Sequence, residues 1–132
     1  MRIERVRTDR GAAAVEFALV AVLLVTLVMG VMEFGRLWAI QGSLAQASRD
    51  AARTAAITDS ATQGTTKFGE VFWAIAPLDD DSLTGSTPGR VGTPGDEACR
   101  WTVDATYTTK TMTGFWPGDI PIRAQGAMRC NG

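Results

Sequence analysis

Gly11-Ala12-Ala13-Ala14-Val15-Glu16-Phe17-Ala18-Leu19-Val20-Ala21-Val22-Leu23-Leu24-Val25-Thr26-Leu27-Val28-Met29-Gly30-Val31-Met32 is the stretch on which the architecture turns. From Ala12 to Met32 its only charge is Glu16. About 21 residues of helix rise ~31 Å, enough to cross the hydrocarbon core of a bilayer. The preceding leader carries Arg2, Arg5, Arg7 and Arg10 against Glu4 and Asp9. Basic residues flanking an apolar span stay on the cytoplasmic side, so everything past about residue 36 is expected outside. A carboxylate at the edge of such a span is costly and marks a functional position.

Two simpler readings of the span compete. A secretory signal has an apolar stretch of about 7–15 residues with a small-x-small site close behind. Here the nearest such site, Ala45-Gln46-Ala47, lies beyond Glu33, Arg36 and Trp38. An uncleaved single-pass anchor accounts for the basic flank and the length, and treats Glu16 as a carboxylate favoured near a helix start.

Beyond the span, Leu37, Ile40, Leu44, Ala47 and Ala51 recur at spacings of 3, 4, 3 and 4. That is a seam of the coiled-coil kind, available to the chain's own outer domain or to another subunit. Glu33 and Arg36 share a helix face as a pair at the membrane exit, with Trp38 in the interfacial belt.

Four blocks extend the pattern: Arg10-Gly11, Ala14-Val15-Glu16-Phe17-Ala18-Leu19, Glu33-Phe34-Gly35-Arg36, and Gln41 with Ala45 to Arg53. Over residues 10–56 the chain resembles the TadE-like family, pilin-like components of tight-adherence (Flp-type) pilus systems. The resemblance implies cleavage by a prepilin peptidase between Gly11 and Ala12, on the cytoplasmic side. It makes Glu16 the fifth residue of the mature chain, and Glu16 with Phe17 the assembly and recognition residues. The implied partners are the peptidase, other pilin-like subunits, the assembly platform and the membrane. The implied place is the inner (cytoplasmic) membrane, single-pass, with the C-terminal part extracytoplasmic. A TadF-like subtype shares this plan, and whether the protein enters the filament, caps it or assists assembly stays open. The major subunits of these pili end soon after the helix, so a long outer part implies a minor, non-enzymatic component. The alternative is an uncleaved anchor presenting a small binding module.

The 132-residue chain has a formal net charge of −1. Without the leader, nine basic and twelve acidic residues remain, a net of −3, which argues against nucleic acid as a partner. There is no histidine, so the usual triads and most zinc sites are excluded. Asp79-Asp80-Asp81 lacks the ligand spacing of a calcium loop. No metal, cofactor or enzymatic activity is expected.

The outer part is near the size at which a hydrophobic core alone is marginal. The only cysteines, Cys99 and Cys130, both fall on the outer side and read as one disulfide, the alternative being two unpaired buried thiols. Trp101 to Tyr107 alternates as a strand with Trp101, Val103, Ala105 and Tyr107 on one face, and Ile120 to Met128 reads as a second strand. Pro121 puts that second strand at an edge. The disulfide would clip the start of one strand to the end of the other. Residues 67–76 suit a short helix or a strand, with Phe68, Phe72 and Ile75 on a helical face and Pro77 as terminator. Residues 79–97 read as loop, and Phe115-Trp116-Pro117-Gly118 as a turn.

The expected class is therefore α+β: a long N-terminal helix, transmembrane and then amphipathic, with a small C-terminal antiparallel β domain clipped by a disulfide. The expected segments are a leader 1–11, a helix 12–57 with its transmembrane part at 12–32, and an extracytoplasmic domain 58–132.

Overall fold

The computed structural model describes residues 5–74, 82–112, 114 and 117–130, with side chains from Gly11 onward. Helix α1 spans Arg5–Thr58, and α2 spans Ala61–Phe72. Four strands follow: β1 (Leu83–Thr84), β2 (Gly89–Val91), β3 (Arg100–Lys110) and β4 (Asp119–Arg129). The chain divides into two compact units, one up to Gly35 and one from Arg36.

Alanine, leucine and isolated glycines, with no proline, let α1 run uninterrupted. It stops at Asp59, which takes a left-handed backbone (φ 48°), while the Ser60 N–H bonds the Ala55 carbonyl at 3.3 Å. This is a Schellman-type closure with an aspartate in place of the usual glycine. Ser60 then caps α2, its hydroxyl accepting from the Gln63 N–H at 3.4 Å. Ser60→Ala is expected to lower stability by about 0.5–1 kcal/mol, read as a shift in the denaturation midpoint.

In the unit from Arg36, β3 is the organising strand. It pairs antiparallel with β4 over its full length, from Arg100↔Arg129 to Lys110↔Asp119. Its other edge takes β1 at Tyr107 and Thr106, and β2 at Thr102, Trp101 and Arg100. Along β3, Trp101, Val103, Ala105, Tyr107 and Thr109 are buried in strict alternation, the pattern of a sheet with one face on a core. Ile40, Leu44, Ala47, Ala51 and Ala52 of α1 meet that face with Phe68, Phe72, Tyr107 and Ile122, and Leu37 packs at the margin. Phe72 is the aromatic hub, edge-to-face with Tyr107 (5.2 Å) and Trp73 (4.8 Å).

Close backbone approach depends on two glycines. A Cβ at Gly64 would lie 2.5 Å from Pro88 Cγ and 2.8 Å from the Ala51 carbonyl, so α2 and α1 meet there without side chains between them. A Cβ at Gly126 would overlap the Ser48 carbonyl and lie 2.7 Å from the Arg49 nitrogen, so α1 rests directly on β4.

Helix α2 begins before Lys67 and ends at Phe72, so it covers the helical alternative for that segment but terminates well short of Pro77. Its N-terminal half was not apparent from apolar spacing, because Ser60 capping and Gly64 packing define it. The stretch read as loop holds β1 and β2, which are too short to show alternation and are ordered by pairing with β3. Ile75, Pro77, Asp79-Asp80-Asp81, Phe115 and Trp116 lie outside the described residues. Cys99 and Cys130 form the disulfide, and the Cys130 N–H also bonds the Cys99 carbonyl at 3.1 Å.

Candidate processing and assembly surface

The unit up to Gly35 carries a continuous apolar surface. Phe17 is 75% exposed and Val28, among the least exposed large residues of the run, is 48% exposed. So large an apolar surface on a single helix needs a non-aqueous or protein environment. Among the described residues one helix is long and apolar enough to cross a membrane. Thr26, the only hydroxyl in the run, donates to the Val22 carbonyl at 2.8 Å, so it presents no unsatisfied donor to hydrocarbon.

Gly11 and Ala12 lie within α1, which passes through the junction without a break. A Cβ at Gly11 would meet nothing within 4 Å, so packing within the described residues does not require glycine there. A glycine costs about 1 kcal/mol relative to alanine inside a helix, and the same property makes local unwinding easier at this bond. Glu16, just over one turn beyond Ala12, is exposed, and its carboxylate has no partner among the described residues. Phe17 projects beside it.

Near the end of the apolar run, Glu33 is half-buried, while Phe34 (66%) and Trp38 (71%) stay exposed. Arg36 is engaged with the sheet: its guanidinium donates to the Lys110 carbonyl and to Thr109 Oγ1, each at 3.2 Å. It thereby ties the helix to the end of β3, a link of more than seventy residues in sequence that no local pattern signals. The seam residues Ile40, Leu44, Ala47 and Ala51 are inside the chain's own core, and Leu37 is at its border. The buried face is broader than that seam, adding Ser43, Ser48, Ala52, Ala55 and Ala56. The two serines are accommodated because their hydroxyls donate to carbonyls, Ser48 to Leu44 (2.8 Å) and Ser43 to Phe72 (3.4 Å). Among the described residues no group of three acidic, cysteine or histidine side chains could hold a metal ion.

Residues 11–53 match the family model described as TadE-like protein, so the match begins at Gly11 and ends at Arg53, in the exposed part of α1 and its core-facing continuation. No curated protein and no solved structure matches the chain.

Proposed function

From the premise that the chain is TadE-like over residues 11–53, we propose that it is a minor pilin or pseudopilin of a Tad (Flp-type) pilus, cut by a prepilin peptidase between Gly11 and Ala12. TadE-like proteins are structural and pilus-related, and this chain carries the membrane-length helix such a role needs. The observation that carries the finer reading is Glu16, exposed and without a partner among the described residues, on an apolar helix surface just past a glycine that no packing contact among those residues requires.

The chemistry follows from charge. Cutting after Gly11 removes the arginine leader and creates an ammonium on Ala12. Glu16 lies just over one turn away on the same helix, and in a bundle of such helices the two groups of neighbouring chains form the natural ion pair. An uncompensated carboxylate in that setting costs several kcal/mol, so pairing selects for correctly processed neighbours. The span holds the protein in the cytoplasmic membrane with its N-terminus inside before assembly. The outer domain, carried on the extracytoplasmic side, gives the subunit a surface that the helix alone does not.

The test is the intact mass and N-terminal sequence of the protein recovered from membranes, with and without its native peptidase. A start at Ala12 that depends on the peptidase supports the reading; an intact leader in both samples refutes it and leaves an anchored binding module. Glu16→Ala is expected to be cut normally yet to co-purify with the pilus machinery at a small fraction of the wild-type level. Normal incorporation of that variant would remove the pairing role.

A further inference from the structure

We propose that the free edge of β4 docks an extended, acidic segment of a neighbouring protein by adding it as a further strand; the inference is independent of whether Gly11–Ala12 is cut. Among the described residues β4 pairs with β3 alone, so its second edge has no strand partner, and of its outward groups only the Arg123 carbonyl is engaged, by Gln41 of α1.

The register shows which groups that edge presents. The Cys130 N–H bonds the Cys99 carbonyl, and hydrogen-bonded pairs alternate along an antiparallel ladder. Exchange with β3 therefore runs through Met128, Gly126, Ala124 and Ile122, and the groups of Arg129, Ala127, Gln125, Arg123 and Pro121 turn outward. Two further observations agree with this phase. Gln41 Nε2 donates to the Arg123 carbonyl at 3.0 Å from outside the strand pair, and Pro121, which has no N–H to offer, occupies an outward position. Four N–H groups at two-residue spacing, from Arg123 to Arg129, are left to face a partner.

Charge identifies the partner's chemistry. Arg123 and Arg129 are exposed on this strand, and Arg100 stands directly across from Arg129 on β3. Arg49 is exposed on α1 where the helix backbone borders Gly126. No acidic side chain engages any of the four among the described residues. The nearby acids are otherwise placed: Asp104 accepts from Gln125 Nε2 at 2.6 Å, Asp119 faces Lys110 across the ladder, and Asp50 is half-buried on α1. Like charges held directly opposite are unfavourable, so the Arg100/Arg129 pair is a standing cost that an incoming carboxylate relieves.

The same charges disfavour a second copy. Antiparallel self-pairing centred on Gly126 would set Arg123 of each copy against Arg129 of the other. Edge charges commonly serve to block such association. Here they also select, because a strand carrying glutamate or aspartate at alternate positions meets both the open N–H groups and the arginines.

The experiment uses the full chain in neutral-detergent micelles and a labelled heptapeptide alternating glutamate with valine and threonine; its lysine counterpart is the control. The expected result is saturable binding of the acidic peptide that weakens with added salt. Amide exchange should slow at Arg123, Gln125, Ala127 and Arg129. The Arg123→Glu/Arg129→Glu double variant should bind the acidic peptide about tenfold more weakly and gain affinity for the lysine peptide. Ala127→Pro removes one outward N–H and leaves the β3 ladder intact, so it should weaken binding at an unchanged melting midpoint. Absence of saturation, unchanged exchange at those four amides, or binding indifferent to the arginine reversals would overturn the proposal. So would a concentration-dependent dimer that protects the same amides without peptide.

Discussion

Gly126→Val is expected to destabilise the outer domain by about 3 kcal/mol or more, a large share of the ~5–15 kcal/mol that holds a domain of this kind together. The reason is the atom that would be struck. A Cβ at Gly126 runs into the carbonyl of Ser48 and approaches the Arg49 nitrogen at 2.7 Å, and both belong to helix backbone. A flexible side chain can rotate aside, but a helical carbonyl cannot move without disturbing the turn around it. Ser48 is itself fully buried, with its hydroxyl bonded to Leu44. The helix would have to lift from the sheet, opening the contact of Leu44, Ala47 and Ala51 with Val103 and Tyr107. Denaturant unfolding followed by tryptophan fluorescence measures the loss, with Ala127→Val as the control on the exposed face of the same strand. A Gly126→Val midpoint equal to that of the control would mean that α1 does not rest on β4 in solution.

Opening the Cys99–Cys130 disulfide is expected to lower stability by about 3.5–4 kcal/mol on the chain-entropy model, a fall in melting temperature on the order of 15 °C for a domain of this size. The bond closes the open end of the β3–β4 hairpin, opposite the connecting loop. That end has particular need of it, because Arg100 and Arg129 oppose one another in the adjacent pair. Cys130 also packs against the satellite core of Ala55, Ala56 and Trp101. Fraying there would expose Trp101, over which the Arg90 guanidinium sits at 5.6 Å while bonding Asp59 at 2.9 Å. Melting the full chain in micelles with and without reductant, alongside Cys99→Ala/Cys130→Ala, tests this. Equal melting temperatures would show that the ladder and core suffice without the crosslink.

The membrane-length apolar helix was legible in the sequence because its signal is local. Gly11, Glu16 and the uncharged run to Met32 lie within one segment, and transfer energetics need no tertiary partner to be read. The link from Arg36 to the sheet was not legible. Its spacing from Glu33 suggests a pair at the membrane exit, and no local pattern signals that its guanidinium donates to Lys110 and Thr109 on β3. The free edge of β4 was only half visible. Pro121 marks an edge strand, but the arginines gathered around that edge come from α1, β3 and β4, and no sequence pattern assembles them.

The sequence by itself determined the elements whose local pattern is strong: the membrane-length helix, its Leu37 to Ala51 seam and the alternating faces of β3. Each is a repeat within a few residues, set by the geometry of helix or strand. Only the tertiary structure decided what covers the seam, where Leu83–Thr84 and Gly89–Val91 add to the sheet, and why Gly64 and Gly126 cannot carry a side chain. Those features arise from atoms brought together across long stretches of chain, where packing leaves room for one backbone against another and local propensity has no say.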